Sequence, residues 1–235
     1  MRTRNVSGSL VTLALLLGSS TLVHAHVSLT SGPGYANQSQ ILTFGVGHGC
    51  AGADTVRVEV SIPKEVTTVR ALPNAWGEPQ VKTDDAGLVT SVVWSKDKAR
   101  EKDDAYYQVA LRIKVPDAPF STVYFAAKQV CRGADGKEST VDWSALPGDA
   151  TEAKSGEEST PAPALNVLPV HFPGWNKISV KADVKDMKIF DDAQIVWQGD
   201  AAYSSNPTTI EQIKAEKGVT QLTEIKAGSE IWVKY

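Results

Sequence analysis

The sequence predicts a mainly β protein, a β-sandwich with a small α+β appendage at its C-terminal end. Apolar and polar residues alternate strictly from Val56 to Ile62, which is typical of a strand with one buried face. The same two-residue period recurs over 109–115 and, less strictly, over 42–46, 88–94 and 123–125. Turn-forming residues such as Asp85-Ala86-Gly87 separate these runs, and no helical period interrupts them. A sandwich over residues 26–148 accounts for this pattern.

The first 25 residues have the layout of a secretory signal peptide. Arg2 and Arg4 precede the apolar run 10–17, which is too short to span a bilayer, and small residues follow. Valine and alanine stand at the −3 and −1 positions of a cleavage between Ala25 and His26. We therefore expect a periplasmic or secreted protein whose mature chain starts at His26, with cleavage after Ser20 as the alternative.

Charge and composition exclude a nucleic-acid partner. The whole sequence has a formal net charge of −3, and removal of the signal peptide takes away two arginines and no acid. An acidic chain does not provide the basic surface that a polyanion requires. With 42% apolar residues, the chain can bury one ordinary core or two modest ones.

Cys50 and Cys131 are the only cysteines. In an exported protein an isolated pair indicates a disulfide rather than a thiolate metal site. We predict that the two cysteines are bridged and that the bridge holds distant loops together.

The rest of the chain divides into a linker and a tail. Residues 149–164 are rich in acids, Ser, Thr, Pro and Ala with no apolar period, so 149–174 is predicted as a linker or long loop. The tail, 175–235, is predicted as a small α+β extension. Its expected elements are strands at 177–180, 194–197 and 231–235 and a helix over 208–217.

A histidine at the start of a mature chain has two nitrogens to offer a metal. His26 would present its free amine and its imidazole Nδ1, a chelate that an internal histidine cannot form. The ordinary pKa of the amine is about 7.7 to 8.0, only slightly above neutral pH, so protons compete only weakly with a metal for this nitrogen. Nitrogen donors in a plane favour Cu(II).

Two further residues are candidates for the same site. His48 lies among glycines in Gly45-Val46-Gly47-His48-Gly49-Cys50, beside a cysteine predicted to be bridged. Such a histidine can also be merely structural. Trp143 follows Cys131 in the sequence after a short predicted hairpin. Its indole could cover a metal and exclude water, or it could simply pack in the core.

Signatures of common enzymes are absent. The sequence lacks G-x-S-x-G, H-E-x-x-H, a P-loop and a dinucleotide fingerprint, and no nucleophile can be assigned to His171. The acid pairs, including Asp103-Asp104, are predicted to be solvated. We therefore expect no catalytic residues and no enzyme activity.

The order and spacing of these motifs resemble the YcnI-like family of secreted copper-binding domains. The resemblance rests on an N-terminal mature His-Val, a G-H-G-C loop leading into T-x-x-V-x-V-x-I-P, a second Cys and V-x-W-x-x-x-P-G. It covers residues 26–148, and the tail is similar to the extension of some longer proteobacterial members.

What the resemblance implies is a copper site on a β-sandwich. The family's site is a single-histidine brace, made by the amine and imidazole of the N-terminal histidine, a carboxylate and a tryptophan beside the metal. By position, His26 corresponds to the histidine and Trp143 to the shielding tryptophan. His48 stands where the family has its acid, which implies a brace of three nitrogens, with Glu59 or Glu65 as the alternative third ligand.

The expected function is therefore to hold or deliver copper, in copper trafficking or tolerance. Cu(II) is the expected ion, with Cu(I) as the alternative, and the partner is a membrane copper transporter or another periplasmic copper carrier. Two rival hypotheses stay open. One is a copper-dependent polysaccharide oxidase, and the other is a docking module for a membrane copper transporter formed by the tail.

Overall fold

The computed structural model describes residues 26–148 and 160–235. The predicted signal peptide and residues 149–159 of the predicted linker lie outside the described residues. None of the helices in the described ranges combines the length and the apolar composition that crossing a bilayer requires.

The described residues of the N-terminal part form strands and no helices. In chain order the strands up to residue 168 are β1 (Val27–Leu29), β2 (Gly34–Tyr35), β3 (Ser39–Val46), β4 (Asp54–Ser61), β5 (Thr67–Leu72), β6 (Gln80–Thr83), β7 (Val89–Ser95), β8 (Tyr107–Lys114), β9 (Thr122–Tyr124), β10 (Ala127–Arg132), β11 (Glu138–Trp143) and β12 (Ala164–Leu168). They form sheets of order β1-β3-β8-β5 and β11-β10-β4-β7-β6, with a small third sheet of order β2-β12-β9. The predicted β-sandwich is confirmed.

One core lies between the two larger sheets. The inward residues of β3 and β8 meet those of β4, β7 and β10, and the rings of Phe44 and Phe125 pack edge to face with centroids 5.6 Å apart. The alternation seen in the sequence is the reason, because every second residue of β4 is buried. Full burial of each large apolar side chain contributes about 1.5 to 3 kcal/mol.

The predicted linker is not a loop throughout. Residues 164–168 form β12, which pairs in parallel with β2 and antiparallel with β9. Leu165 and Val167 are buried in the sandwich core. Two buried apolar residues after a stretch of Pro and Ala are too few to show a period, so the sequence pattern did not predict this strand.

The C-terminal part has its own core. Its strands are β13 (Trp175–Ser179), β14 (Ile195–Gln198), β15 (Ala201–Tyr203), β16 (Thr220–Gln221) and β17 (Glu230–Lys234), in the order β13-β17-β14-β15-β16. Helix α1 (Pro207–Ala215) begins at Asn206, whose side chain accepts hydrogen bonds from Thr208 N and Thr209 N. A short 3-10 helix, Met187–Phe190, also contributes to this core.

Phe120 joins the two parts. It lies between β8 and β9 of the sandwich, but its ring packs into the second core, 5.2 Å from the ring of Phe190. The small α+β part therefore packs on the sandwich.

Candidate metal centre

The ladder between β1 and β3 brings His26 close to the His48 loop. Val27 pairs with Val46, so a continuation of this antiparallel register places His26 opposite Gly47, the residue before His48. His26 is exposed and His48 is partly buried. Two histidines far apart in the sequence thus lie at the same end of one sheet.

The imidazole of His48 has one occupied and one unoccupied nitrogen. Nδ1 lies 2.9 Å from the carbonyl oxygen of Gly49, which can only accept, so Nδ1 donates its hydrogen there. Nε2 then carries the lone pair. This atom is buried and has no hydrogen-bond partner among the described residues. A buried polar atom without a partner is rare and costly, and an imidazole nitrogen with a free lone pair can bind a metal.

Trp143 lies against His26. It is the last residue of β11 and is 4% exposed, and its ring centroid is 5.3 Å from that of His26 with the planes tilted by 44°. Its Nε1 donates to Oε1 of Gln129 over 3.2 Å, so the indole has a fixed orientation. The geometry allows the indole to cover a metal held by His26.

The predicted disulfide is confirmed. Cys50 and Cys131 are bridged, with their Cα atoms 5.7 Å apart, and the bridge connects the His48 loop to β10. Cys50 and Ala53 also exchange two backbone hydrogen bonds. A Cβ atom at Gly49 would collide with the carbonyl oxygen of Ala53, so only glycine fits between the histidine and the bridge.

The structure does not bring either alternative acid to this centre. Glu59 accepts hydrogen bonds from Lys82 Nζ at 2.7 Å and Ser91 Oγ at 2.9 Å. Glu65 lies two residues before Thr67 of β5, which is level with the start of β3. His48 follows the end of β3, so Glu65 lies toward the opposite end of this sheet.

The carboxylate that does lie near His48 belongs to Asp103, which the sequence predicted to be solvated. Its Oδ1 accepts the Gly49 N–H at 2.7 Å, and its Oδ2 is 3.9 Å from His48 Nδ1. The side chain is only 9% exposed, because the loop after β7 folds back over the His48 loop. Asp104, by contrast, is exposed and pairs with Arg100. No local pattern distinguishes the two acids.

Asp54 holds the loop that carries Asp103. Its buried carboxylate accepts from Lys96 Nζ and Tyr107 OH, each at 2.7 Å, and from Arg100 N at 2.6 Å. Burial raises the pKa of Asp54, but these three hydrogen bonds outweigh burial and hold the pKa below its ordinary value. Burial and the bond to Asp54 raise the pKa of the Tyr107 hydroxyl, which remains a donor.

Side chains alone do not make a metal cage here. In residues 26–148 and 160–235, no group of three or more His, Cys, Asp or Glu side chains is arranged to hold a metal. The candidate donors are the imidazoles of His26 and His48, which lie at the same end of the β1–β3 ladder, and cleavage before His26 would add a third nitrogen. His171 lies in the other part of the protein, stacked on Tyr235 with ring centroids 3.6 Å apart.

Similarity to known proteins is found among solved structures and in one family. Comparison with curated proteins finds no match to this chain. Among solved structures, the chain is similar to an uncharacterized protein from Nocardia farcinica with an immunoglobulin-like fold, at 25% identity and a TM-score of 0.47 over 61% of this chain and 98% of that one.

Two other solved structures are more distant. The cohesin module of a family 33 glycoside hydrolase from Clostridium perfringens is 10% identical, with a TM-score of 0.39 over 62% of this chain and 98% of that one. The major pilin subunit BcpA of Bacillus cereus is 10% identical, with a TM-score of 0.36 over 89% of this chain and 55% of that one.

Residues 26–167 match the family described as a domain of unknown function, DUF1775. Because this match spans more than half of the sequence, the chain belongs to the DUF1775 family.

Proposed function

We propose that this protein is exported and binds copper at the end of the sandwich where His26, His48 and Trp143 lie. The ligands are the amine and Nδ1 of His26 and the Nε2 of His48. The protein holds copper or delivers it to another protein and does not catalyse a reaction.

The observation that carries the proposal is the buried Nε2 of His48, which has no hydrogen-bond partner among the described residues. Because Nδ1 donates its hydrogen to the carbonyl oxygen of Gly49, Nε2 carries the lone pair that a metal could bind. A bound metal would supply the missing partner. Three nitrogen donors suit Cu(II), which binds such sites more tightly than the other divalent first-row metals.

The position of His26 supplies the other two donors. A cleavage between Ala25 and His26 turns the peptide nitrogen into an amine, which together with Nδ1 forms a chelate. The Cys50–Cys131 disulfide is consistent with the oxidising compartment that such export implies. Copper binding thus depends on signal cleavage at one bond.

Trp143 favours a holding site over an oxygen-activating one. The indole lies beside His26 and is itself almost fully buried, so it restricts approach to the metal from that side. An oxidase would need an open coordination position facing its substrate. The resemblance to the YcnI-like copper-binding family, which shares this domain type, supports the same conclusion.

The direct test compares two forms of the protein, one that begins at His26 and one with a single alanine added before it. Competition titration with a Cu(II) chelator should show tight binding by the first form. We expect the added alanine to weaken binding by more than the roughly 10- to 100-fold that loss of a residue supporting a metal ligand costs. His48→Gln should also weaken it, and the electron paramagnetic resonance spectrum should lose one nitrogen.

His171→Gln is the matched control, because it removes a histidine that belongs to the other part of the protein. Its copper affinity should equal that of the unaltered protein. Equal binding by the forms with and without the added alanine would refute the brace.

The rival functions give different results. A polysaccharide oxidase would release oxidised sugars when the copper-loaded protein is given a reductant, peroxide and a glycan, whereas we expect no product. If the tail were the docking module, Phe120→Ala, which loosens the tail's core, would abolish copper transfer to a partner without changing copper affinity.

A further inference from the structure

Gln129 is a buried polar residue in a position that would ordinarily be apolar. It lies on β10 between Val58 of β4 and Val141 of β11, and its side chain is fully buried. Burial of an amide without partners is strongly unfavourable, so a glutamine here must be compensated by hydrogen bonds.

The amide nitrogen and the amide oxygen of Gln129 both make hydrogen bonds. Oε1 accepts from Trp143 Nε1 at 3.2 Å, and Nε2 donates to the backbone carbonyl of His48 at 2.9 Å and to Thr55 Oγ1 at 2.8 Å. An indole N–H can only donate and a carbonyl oxygen can only accept. The orientation of the amide is therefore fixed by the chemistry of its partners.

We infer that Gln129 is a positioning residue that links the indole of Trp143 to the backbone of His48. This inference rests on the proposed copper function. One amide group sets the distance between the residue that covers His26 and the loop that presents His48 Nε2. Gln129 does not touch the metal, and it acts through these two neighbours.

The linkage has a function that packing alone would not provide. Asp103 and the disulfide fix the residues that follow His48, through Gly49 N and Cys50. Gln129 fixes the carbonyl of His48 itself and is the only described residue shown to hydrogen-bond to both His48 and Trp143. An apolar side chain of the same size would fill the space but would leave the indole N–H and the carbonyl unpaired.

The test uses the mature protein with Gln129→Met, which nearly preserves length and volume and removes all three hydrogen bonds. We expect Cu(II) affinity to fall by about tenfold or more, the range found when a residue supporting a metal ligand is lost. We also expect the copper electron paramagnetic resonance spectrum to broaden or shift, because the His48 donor is no longer held in one position. Unchanged affinity with an unchanged spectrum would overturn the inference.

Val58→Ala is the matched control, because Val58 pairs with Gln129 across the strands and is fully buried but makes no polar contact with the centre. It should lower stability while leaving copper affinity and spectrum unchanged. If both variants changed the spectrum equally, Gln129 would be an ordinary core residue. Should Gln129→Met not fold, Gln129→Asn serves instead, since it keeps an amide but is one methylene shorter and cannot reach the indole and the His48 carbonyl at once.

A copper-free measurement separates this inference from the proposed function. In the metal-free protein, hydrogen exchange at the Trp143 indole and at the amides of Gly49 and Cys50 should be faster in Gln129→Met than in Val58→Ala of matched stability. Faster exchange together with no copper binding by the unaltered protein would retain the linkage and reject the copper function. Equal exchange in the two variants would reject the linkage.

Discussion

The rings of His26 and Trp143 lie 5.3 Å apart, with their planes tilted by 44°. Trp143 is buried and held by Gln129, whereas His26 is exposed immediately before β1. A rigid indole therefore borders the residue that cleavage would make N-terminal. This relationship makes the indole a probe of whatever His26 binds.

The first prediction concerns Trp143→Phe, which keeps an aromatic ring and removes the indole N–H. Oε1 of Gln129 then loses a donor, which should lower the free energy of unfolding by about 1 to 3 kcal/mol. Addition of Cu(II) should quench less tryptophan fluorescence than in the unaltered protein, because the indole nearest the metal is gone.

Trp232→Phe is the control for that experiment, since Trp232 is exposed on β17 of the other part. It should leave the copper-dependent quenching unchanged. Equal quenching in Trp143→Phe and the unaltered protein would show that copper does not bind beside Trp143.

The second prediction concerns the bridge. Replacing Cys50 and Cys131 together by Ser opens a loop between residues 81 positions apart, which should cost up to about 4 kcal/mol in the free energy of unfolding. Copper affinity should fall as well, because Cys50 is two residues from His48. Urea unfolding and chelator competition measure the two effects, and reductant should affect only the unaltered protein.

The third prediction separates the charge of Asp103 from its hydrogen bond. Asp103→Asn retains an oxygen that can accept the Gly49 N–H, whereas Asp103→Ala leaves that largely buried donor unpaired at a cost of about 1 to 3 kcal/mol. We therefore expect copper affinity in the order unaltered protein, Asn variant, Ala variant. If the Asn variant binds as weakly as the Ala variant, the charge 3.9 Å from His48 Nδ1 matters more than the hydrogen bond.

The fourth prediction is a pH dependence that comes from Asp54. Its pKa is lowered in the folded protein, so the carboxylate stabilises the fold above its unfolded pKa of about 3.9, and this contribution is lost as the pH falls through the lower folded value. The unaltered protein should therefore lose stability below about pH 4 more steeply than Asp54→Asn.

Urea unfolding of both proteins between pH 2 and 6 provides the measurement. Near neutral pH, Asp54→Asn should be less stable by about 3 to 5 kcal/mol, since it leaves the Lys96 ammonium without its buried partner. Parallel stability profiles for the two proteins would contradict the assigned role of Asp54.

The sandwich could be predicted because its strands have one buried face. The alternation over 56–62 identifies β4, which spans Asp54–Ser61, and the same period over 109–115 identifies β8, which spans Tyr107–Lys114. The strand β12 was not predicted, because its two buried residues follow a stretch without any apolar period. A repeating local pattern is visible in the sequence, whereas a short pairing between distant strands is not.

The centre was predictable only in the residues whose chemistry is unusual. His26 was identified by the cleavage site, His48 by its glycine-rich loop, and the bridge by the count of cysteines. Asp103 and Gln129 were missed, because their hydrogen bonds reach Gly49 and His48 across 54 and 81 positions. An aspartate in a turn and a glutamine in a strand give no signal until the fold is known.

The last prediction concerns the contact between the two parts of the protein. Phe120 belongs to the sandwich but contributes its ring to the second core beside Phe190. Because Phe120 is only partly buried, Phe120→Ala should destabilise the C-terminal part by about 2 kcal/mol, less than the 3 to 5 kcal/mol of a fully buried phenylalanine.

Copper affinity should be unchanged by Phe120→Ala, since His26, His48 and Trp143 all belong to the sandwich and not to the C-terminal part. Hydrogen exchange should accelerate in β13 to β17 and stay constant in β3, β4 and β10. Accelerated exchange in β3 or β10 would instead show that the tail supports the sandwich and with it the proposed copper site.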